Sequence, residues 1–392
     1  MDVFSRTFLA DTAGAAMPAS RRRRVPGRVG LALACLLALP APRLGAQEGE
    51  LRVDRITVED GLSHGLVWSI HQDRQGFLWF ATSQGLSRYD GHDFEVYRSD
   101  PEDPMSISGS DVSEVVVDHR GVLWAGTRGS GLNRFVRAQE GFEHFRHDPA
   151  DPASLSNDVV TYLYEDRAGT LWVGTNDGLN RFHREEGRLT RYRIDPDHPT
   201  APSSLGGRRV EAMVEDSSGN FWVGTDGGLS RFDREAERFF HFRHDPSEPA
   251  SLSPGTVFAL AAGPDGELWI GTGRGLDRLD HDSRDPGGGR FVHFRHDPSD
   301  PGSLSQGRVS ALHVDGRGEL WVGTLSGLAR LDRDTGRFRR HHHDPADPWS
   351  LASDSISCLY EDRNGLIWIG SLVGVSKFVP RQQQFVTYRH RS

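Results

Sequence analysis

Apolar positions along the chain do not recur at helical spacing. They come in short runs, several alternating apolar with polar residues, and each run is closed by Gly, Pro, Asp or Ser. That pattern predicts short strands joined by tight turns, and no stretch shows convincing 3.6-residue periodicity. The runs also repeat. Aligned on Trp79, Trp124, Trp172, Trp222, Trp269, Trp321 and Trp368, the copies are spaced 45, 48, 50, 47, 52 and 47 residues apart. A β-branched residue stands twelve positions before each Trp: Val67, Val112, Val160, Val210, Val257, Val309 and Ile356. A Gly stands three before it, and Leu, Phe or Ile directly before it. Gly-Thr follows in five copies, with Ala81-Thr82 and Gly370-Ser371 as variants, and a further Gly comes next, Gly85 to Gly374.

Each repeated position has a physical reading. Val160 to Gly169 reads as a strand entering a turn whose Asp bonds nearby amides and whose Gly accepts positive φ. Leu-Trp-Val-Gly-Thr is a second strand, its Gly allowing a neighbouring unit to approach closely. Leu179 to Phe182 is a third strand. Phe239 to Phe242 and Phe291 to Phe294 exemplify a fourth. Four short antiparallel strands per repeat, seven times over, predict an all-β fold: a seven-bladed β-propeller of four-stranded antiparallel blades. A solenoid would need capping repeats, and none is visible. A fourth-strand signature occurs at both ends of the array, at Arg52 to Thr57 and at Phe385 to Tyr388, so one is surplus. The sequence does not say which closes the ring. Asp-Pro at Asp100, Asp148, Asp195, Asp245, Asp297 and Asp344 marks rigid crossings between blades.

Residues 1–46 read as a secretory signal peptide. Arg21 to Arg24 and Arg28 precede the apolar run Leu31 to Leu39, and Leu44-Gly45-Ala46 supplies a small residue for cleavage. Met17 is an alternative start. The propeller then occupies residues 47–392, outside the cytoplasm, in the periplasm or secreted. The chain's formal charge is −9; the seven Arg and two Asp of residues 1–46 take +5 with them, leaving −14. So acidic a body argues against nucleic acid or anionic lipid as a partner. No other apolar run is long enough to span a bilayer, which takes roughly 20 residues. Cys358 is the lone cysteine after residue 46, so an internal disulfide is not possible there.

The pattern Asp-x-x-Gly-x-Leu-Trp-x-Gly-Thr-x-x-Gly-Leu-x-Arg resembles the two-component regulator propeller repeat. Glu59-Asp-Gly-Leu-Ser63 and Arg88-Tyr-Asp-Gly91 are similar to that family's first blade. The resemblance runs over about residues 51–390. It implies the periplasmic sensing part of a hybrid histidine kinase or a diguanylate cyclase, in which an immunoglobulin-like domain, a membrane helix and a cytoplasmic output module follow. No kinase or cyclase motif stands before Ser392. The expectation is therefore either a piece of such a receptor or a free-standing periplasmic protein partnering a membrane-bound kinase or cyclase.

The turn residues Asp73, Asp118, Asp166, Asp216, Asp315 and Asp362 read as structural, one per blade, and the repeated Trp residues as core between blades. His147, His244, His296 and His343 recur in His-Asp-Pro, on blade rims that diverge, which disfavours a metal site. No catalytic set, cofactor or metal is expected. Positions just ahead of the inner strands vary from blade to blade and should ring the mouth of the central channel: His64, Asp111, Asn157, Asp158, Arg208, Arg209, Gln306, Arg308 and Asp354. They suit an extracytoplasmic polar ligand such as a glycan. Two other roles are open to a propeller: a secreted enzyme, streptogramin-lyase-like through Gly263 to Trp269 or polysaccharide-active, and a protein-interaction platform.

Overall fold

The computed structural model describes residues 51–280 and 289–380. The signal-peptide segment 1–46 and the Phe385–Tyr388 signature lie outside the described residues. The described chain forms seven four-stranded antiparallel sheets. In blade one the strands run Val67–Gln72, Leu78–Thr82, Gly85–Tyr89 and Phe94–Tyr97, from the channel outward. Blades two to six repeat that order. Blade seven supplies three strands, Ile356–Glu361, Ile367–Ser371 and Val375–Phe378. Its outer strand is Asp54–Ile56, in the register Asp54↔Lys377, Arg55↔Ser376, Ile56↔Val375. The N-terminal signature thus closes the ring and covers the edge that blade seven would otherwise expose.

Each of the seven repeat Trp residues is buried and packs on the next blade. Trp79 lies with Val112, Val115, Leu123 and Phe142, and Trp368 with Val67, Ile70, Leu78 and Phe80. The Gly two residues after the Trp admits the neighbour, as predicted: a Cβ on Gly224 would stand 2.6 Å from Val257 Cγ1. The turn Asp has a double role. Asp166 Oδ1 accepts from the amides of Ala168 and Thr170, while Oδ2 accepts from Trp172 Nε1 at 2.9 Å and pairs with Arg234 of the next blade at 2.8 Å. Six blades hold their Trp indole this way.

Blade five departs from that scheme. Gly263 replaces the Asp, and the buried Trp269 Nε1 has no acceptor among the described residues. Glu267 folds back over Gly263 and takes up Arg333 of blade six instead. Copying blade three through Gly263→Asp with Glu267→Thr supplies the missing acceptor and keeps one for Arg333. The double variant is expected to gain about 1 kcal/mol, read as a higher urea midpoint. An unchanged midpoint would mean the bare indole costs nothing.

The repeated histidines are bound into the crossings. Nδ1 of His147, His244, His296 and His343 each meets the carbonyl oxygen of a Leu eight residues on, at 2.6 to 3.0 Å. Cys358 packs against the apolar cluster between blades seven and one and also lines the central channel; burial pushes its thiol up to about 12.

Candidate functional site

The innermost strands line a central cavity of about 520 Å³. Every one of them carries a β-bulge after its first residue, between Val67 and Ser69 in blade one and at the equivalent place in the other six. The bulge leaves the second residue unpaired and free to serve another purpose. In four blades that residue is Ser or Thr, and its hydroxyl donates across the seam to the first carbonyl of the next inner strand. Ser113 reaches Val160 at 2.7 Å, Thr161 reaches Val210 at 2.5 Å, Ser310 reaches Ile356 at 2.5 Å, and Ser357 reaches Val67. In blades one, four and five the hydroxyl is given up, and the residue is Trp68, Glu211 or Phe258.

Those three residues meet three arginines where the cavity opens. Arg128, on the hairpin tip of blade two, stacks over Trp68 at 3.8 Å. Arg308 stacks over Phe258 at 4.4 Å. Arg209 Nε lies 2.9 Å from Glu211 Oε1. Burial raises the Glu211 carboxyl above its ordinary range, with Arg209 and Arg308 opposing, and lowers the Arg128 guanidinium. The hairpin tips share this face because their amides donate to the segments leading into the inner strands: Arg128 N to Asp111 O at 2.9 Å, Asp226 N to Arg209 O at 3.1 Å, Leu325 N to Arg308 O at 3.3 Å.

All nine residues singled out from the sequence lie on these leading segments, but the structure groups only some. Arg209, Arg308 and Asp111 stand at the mouth, with Asp111 beside Arg128. Asp158 and Asp354 each accept a 2.7 Å bond from the amide of a crossing histidine, His147 and His343. Asn157 and His64 accept from amides two residues on, Val159 N and Leu66 N. Arg208 reaches sideways to Asp177 at 2.8 Å, and Gln306 is exposed on the approach to the blade six inner strand. Trp68, Arg128, Glu211 and Phe258 were missed. The hydroxyl pattern after each β-branched residue, broken three times, was the available signal.

Below the mouth the cavity is filled unequally. The third residue of each inner strand is small in five blades: Ser69, Ala212, Ala259, Ala311 and Cys358. The other two are Glu114 and Tyr162. Ser69 donates its hydroxyl to Glu114, which also accepts from Val115 N at 3.3 Å. Burial pushes the Glu114 carboxyl up to about 8 and raises the Tyr162 hydroxyl. Deeper, Tyr164 and Tyr360 accept from Glu215 N and Gln72 N of the next blade, both at 3.0 Å, and lock that end.

The architecture is that of a propeller whose frame repeats and whose mouth does not. Six of the seven repeats match the family model described as "Two component regulator propeller", over residues 61–84, 154–177, 204–227, 251–274, 303–326 and 350–372. Six of the chain's seven blades thus carry two component regulator propeller repeats. Blade two, which the matched segments leave out, has one more residue in its hairpin tip, Arg128-Gly-Ser130. Among solved structures, the chain is similar to the extracellular domain of a hybrid two component system from B. thetaiotaomicron, with TM-score 0.70 and 26% identity, covering 83% of this chain and 41% of that one. It shares its fold alone with virginiamycin B lyase from Staphylococcus aureus, at TM-score 0.59 and 13% identity, over 84% of this chain and 98% of the lyase. Histidine kinase P4 from Formosa agariphila is 41% identical over 80 residues, 20% of this chain and 6% of the kinase. The chain thus spans less than half of the receptor domain and a small part of the kinase. No helix among the described residues is long and apolar enough to cross a membrane.

Proposed function

We propose that this chain is the extracytoplasmic sensing propeller of a two-component-type signalling receptor, and that its ligand is held at the channel mouth. Residues 1–46 direct export and are removed, and a membrane-bound kinase or cyclase supplies the output. One observation carries the reading. Four seams are stitched by a hydroxyl, and the three that forgo the stitch place Trp68, Glu211 and Phe258 around the mouth. Natural folds give up local stabilising contacts chiefly where function requires it. The likeness to the extracellular domain of a hybrid two component system supports the same role.

The test is a thermal-shift screen of the purified chain against neutral and acidic oligosaccharides. At least one is expected to raise the melting temperature, and Trp68→Ala is expected to abolish that rise. Binding of none, or conversion of one into product, would overturn the reading. The second result would instead make the chain an enzyme.

A further inference from the structure

The mouth holds six charged side chains, and their partners divide them into spent and unspent groups. Asp226 is spent: its Oδ1 accepts from the amides of Arg208 and Arg209, at 2.8 and 3.1 Å. Glu211 and Arg209 neutralise each other as an ion pair, Nε to Oε1 at 2.9 Å, although the contact lacks hydrogen-bond geometry. What remains is Arg128, Arg308 and Asp111. Among the described residues, neither Arg128 nor Arg308 donates a side-chain hydrogen bond. Each guanidinium lies on an aromatic face, and Arg308 Nε is shielded from solvent with no acceptor. Asp111 Oδ1 is likewise buried and unbonded. The free valences are therefore the N–H edges of two guanidiniums and one carboxylate oxygen.

A planar cation stacked on an aromatic ring has its flat face occupied and its edge fixed in direction. That edge matches the two oxygens of a carboxylate or sulfate, which arginine binds side on. Stacking also removes much of the rotamer freedom that a flexible arginine loses on binding. A free carboxylate beside Arg128 accepts from hydroxyls and cannot accept from a second anion. The donor set therefore calls for a molecule with one acidic group and neighbouring hydroxyls. The surroundings sharpen the point: with −14 on the chain after residue 46, an anion is repelled in general and must find local, directed donors.

Resting on the reading of the mouth as the ligand site, we infer that Arg128 and Arg308 hold a carboxylate or sulfate group of a hydroxylated, ring-sized ligand, with Asp111 accepting from one of its hydroxyls. Trp68 and Phe258 act as positioning residues, since each orients an arginine and fills the cavity wall below it.

The experiment is calorimetric titration of the purified chain with glucuronate, glucuronate methyl ester, sulfate and acetate, at low and at moderate salt. Glucuronate is expected to bind, weakening with salt, and the methyl ester to bind about tenfold more weakly or worse. Sulfate and acetate separate a requirement for the ring from a requirement for the anion alone; binding of the small anions as tight as that of glucuronate would remove the ring from the proposal. Arg128→Ala and Arg308→Ala should each weaken glucuronate at least tenfold, with Arg308→Lys retaining part of the affinity. Arg120→Ala, on the opposite face, should change nothing. Melting of each variant without ligand checks that it folds. Equal affinity for glucuronate and its ester, or undiminished binding in both alanine variants, overturns the inference. If neutral sugars then bind in a Trp68-dependent way, sensing at the mouth stands and only its anionic character falls. If no probe binds at all, the inference is overturned, and the oligosaccharide screen decides the sensing role separately.

Discussion

Deleting the residues up to and including Thr57 is expected to open the ring and cost most of the fold's stability. The outer strand Asp54–Ile56 contributes three paired residues to blade seven. Leu51, Val53 and Ile56 are buried, the first two with Trp321, Leu351, Ile367 and Phe378. At about 2 kcal/mol per buried aliphatic side chain their loss is about 6 kcal/mol. Arg55 adds to this. Its Nε donates to Ser350 O at 2.8 Å, and Nη2 to Asp347 O at 2.9 Å and Ser350 Oγ at 2.7 Å, pinning the last crossing. Arg191 in blade three and Arg340 in blade six do the same for their crossings. The total is comparable with the whole stability of a typical domain, and the bared edge at Val375–Phe378 invites pairing between chains. Size exclusion should show association, and urea unfolding a lost or early transition. Arg55→Ala alone should cost about 2 kcal/mol. If the deleted chain stays monomeric and stable, and further removal of residues 381–392 then unfolds it, the Phe385–Tyr388 signature is the true closing strand.

That choice of closing strand marks the limit of what the sequence discloses about the fold. Repeat number, strand count, turn aspartates and the close approach at Gly224 follow from local rules repeated seven times, so each copy checks the others. Closure occurs once, has no internal control, and is decided by which of two similar segments reaches the edge beside Val375–Phe378. The site shows a similar division. Reading variability just ahead of each inner strand led to Asp111, Arg209 and Arg308. It also led to Asp158 and Asp354, whose carboxylates hold crossing amides and vary for structural reasons. Trp68, Glu211 and Phe258 escaped because simple strand alternation takes the second residue of an inner strand for an ordinary ladder position. The bulge that makes it a mouth residue arises from tertiary geometry and leaves no turn signal of its own. Arg128 escaped as well. It stands on a hairpin tip, and its stacking on Trp68 joins residues 60 positions apart in sequence.

Glu114→Gln is expected to stabilise the protein at neutral and alkaline pH and to flatten its pH dependence. The carboxyl lies in the channel under the mouth, enclosed by protein, with Ser69 and Val115 N as donors and, among the described residues, no cation paired with it. Burial raises it from 4.5 to about 8. The sign follows from which state holds the proton. The unfolded chain releases it above about 4.5, while the folded chain keeps it until about 8, so the folded state binds more protons across that window. Stability is full below the unfolded value, falls as pH rises through the window, and is fully reduced above the folded value. At pH 7 the loss is about 3 kcal/mol, taken as an upper bound because the channel is open at the mouth. A glutamine in the same place accepts from the same two donors and never ionises. Urea unfolding at several pH values should give matching midpoints for the two proteins near pH 4.5. The variant should pull ahead steadily up to pH 8, and the curves should run parallel beyond it. Parallel curves throughout would mean that Glu114 ionises as an ordinary carboxylate. The channel floor would then carry a full negative charge beneath Arg128 and Arg308, and an acidic ligand at the mouth would face it directly. A neutral Glu114 therefore keeps a further negative charge from lying beneath Arg128 and Arg308 at physiological pH, and the same titration that reports on stability reports on the channel below the binding site.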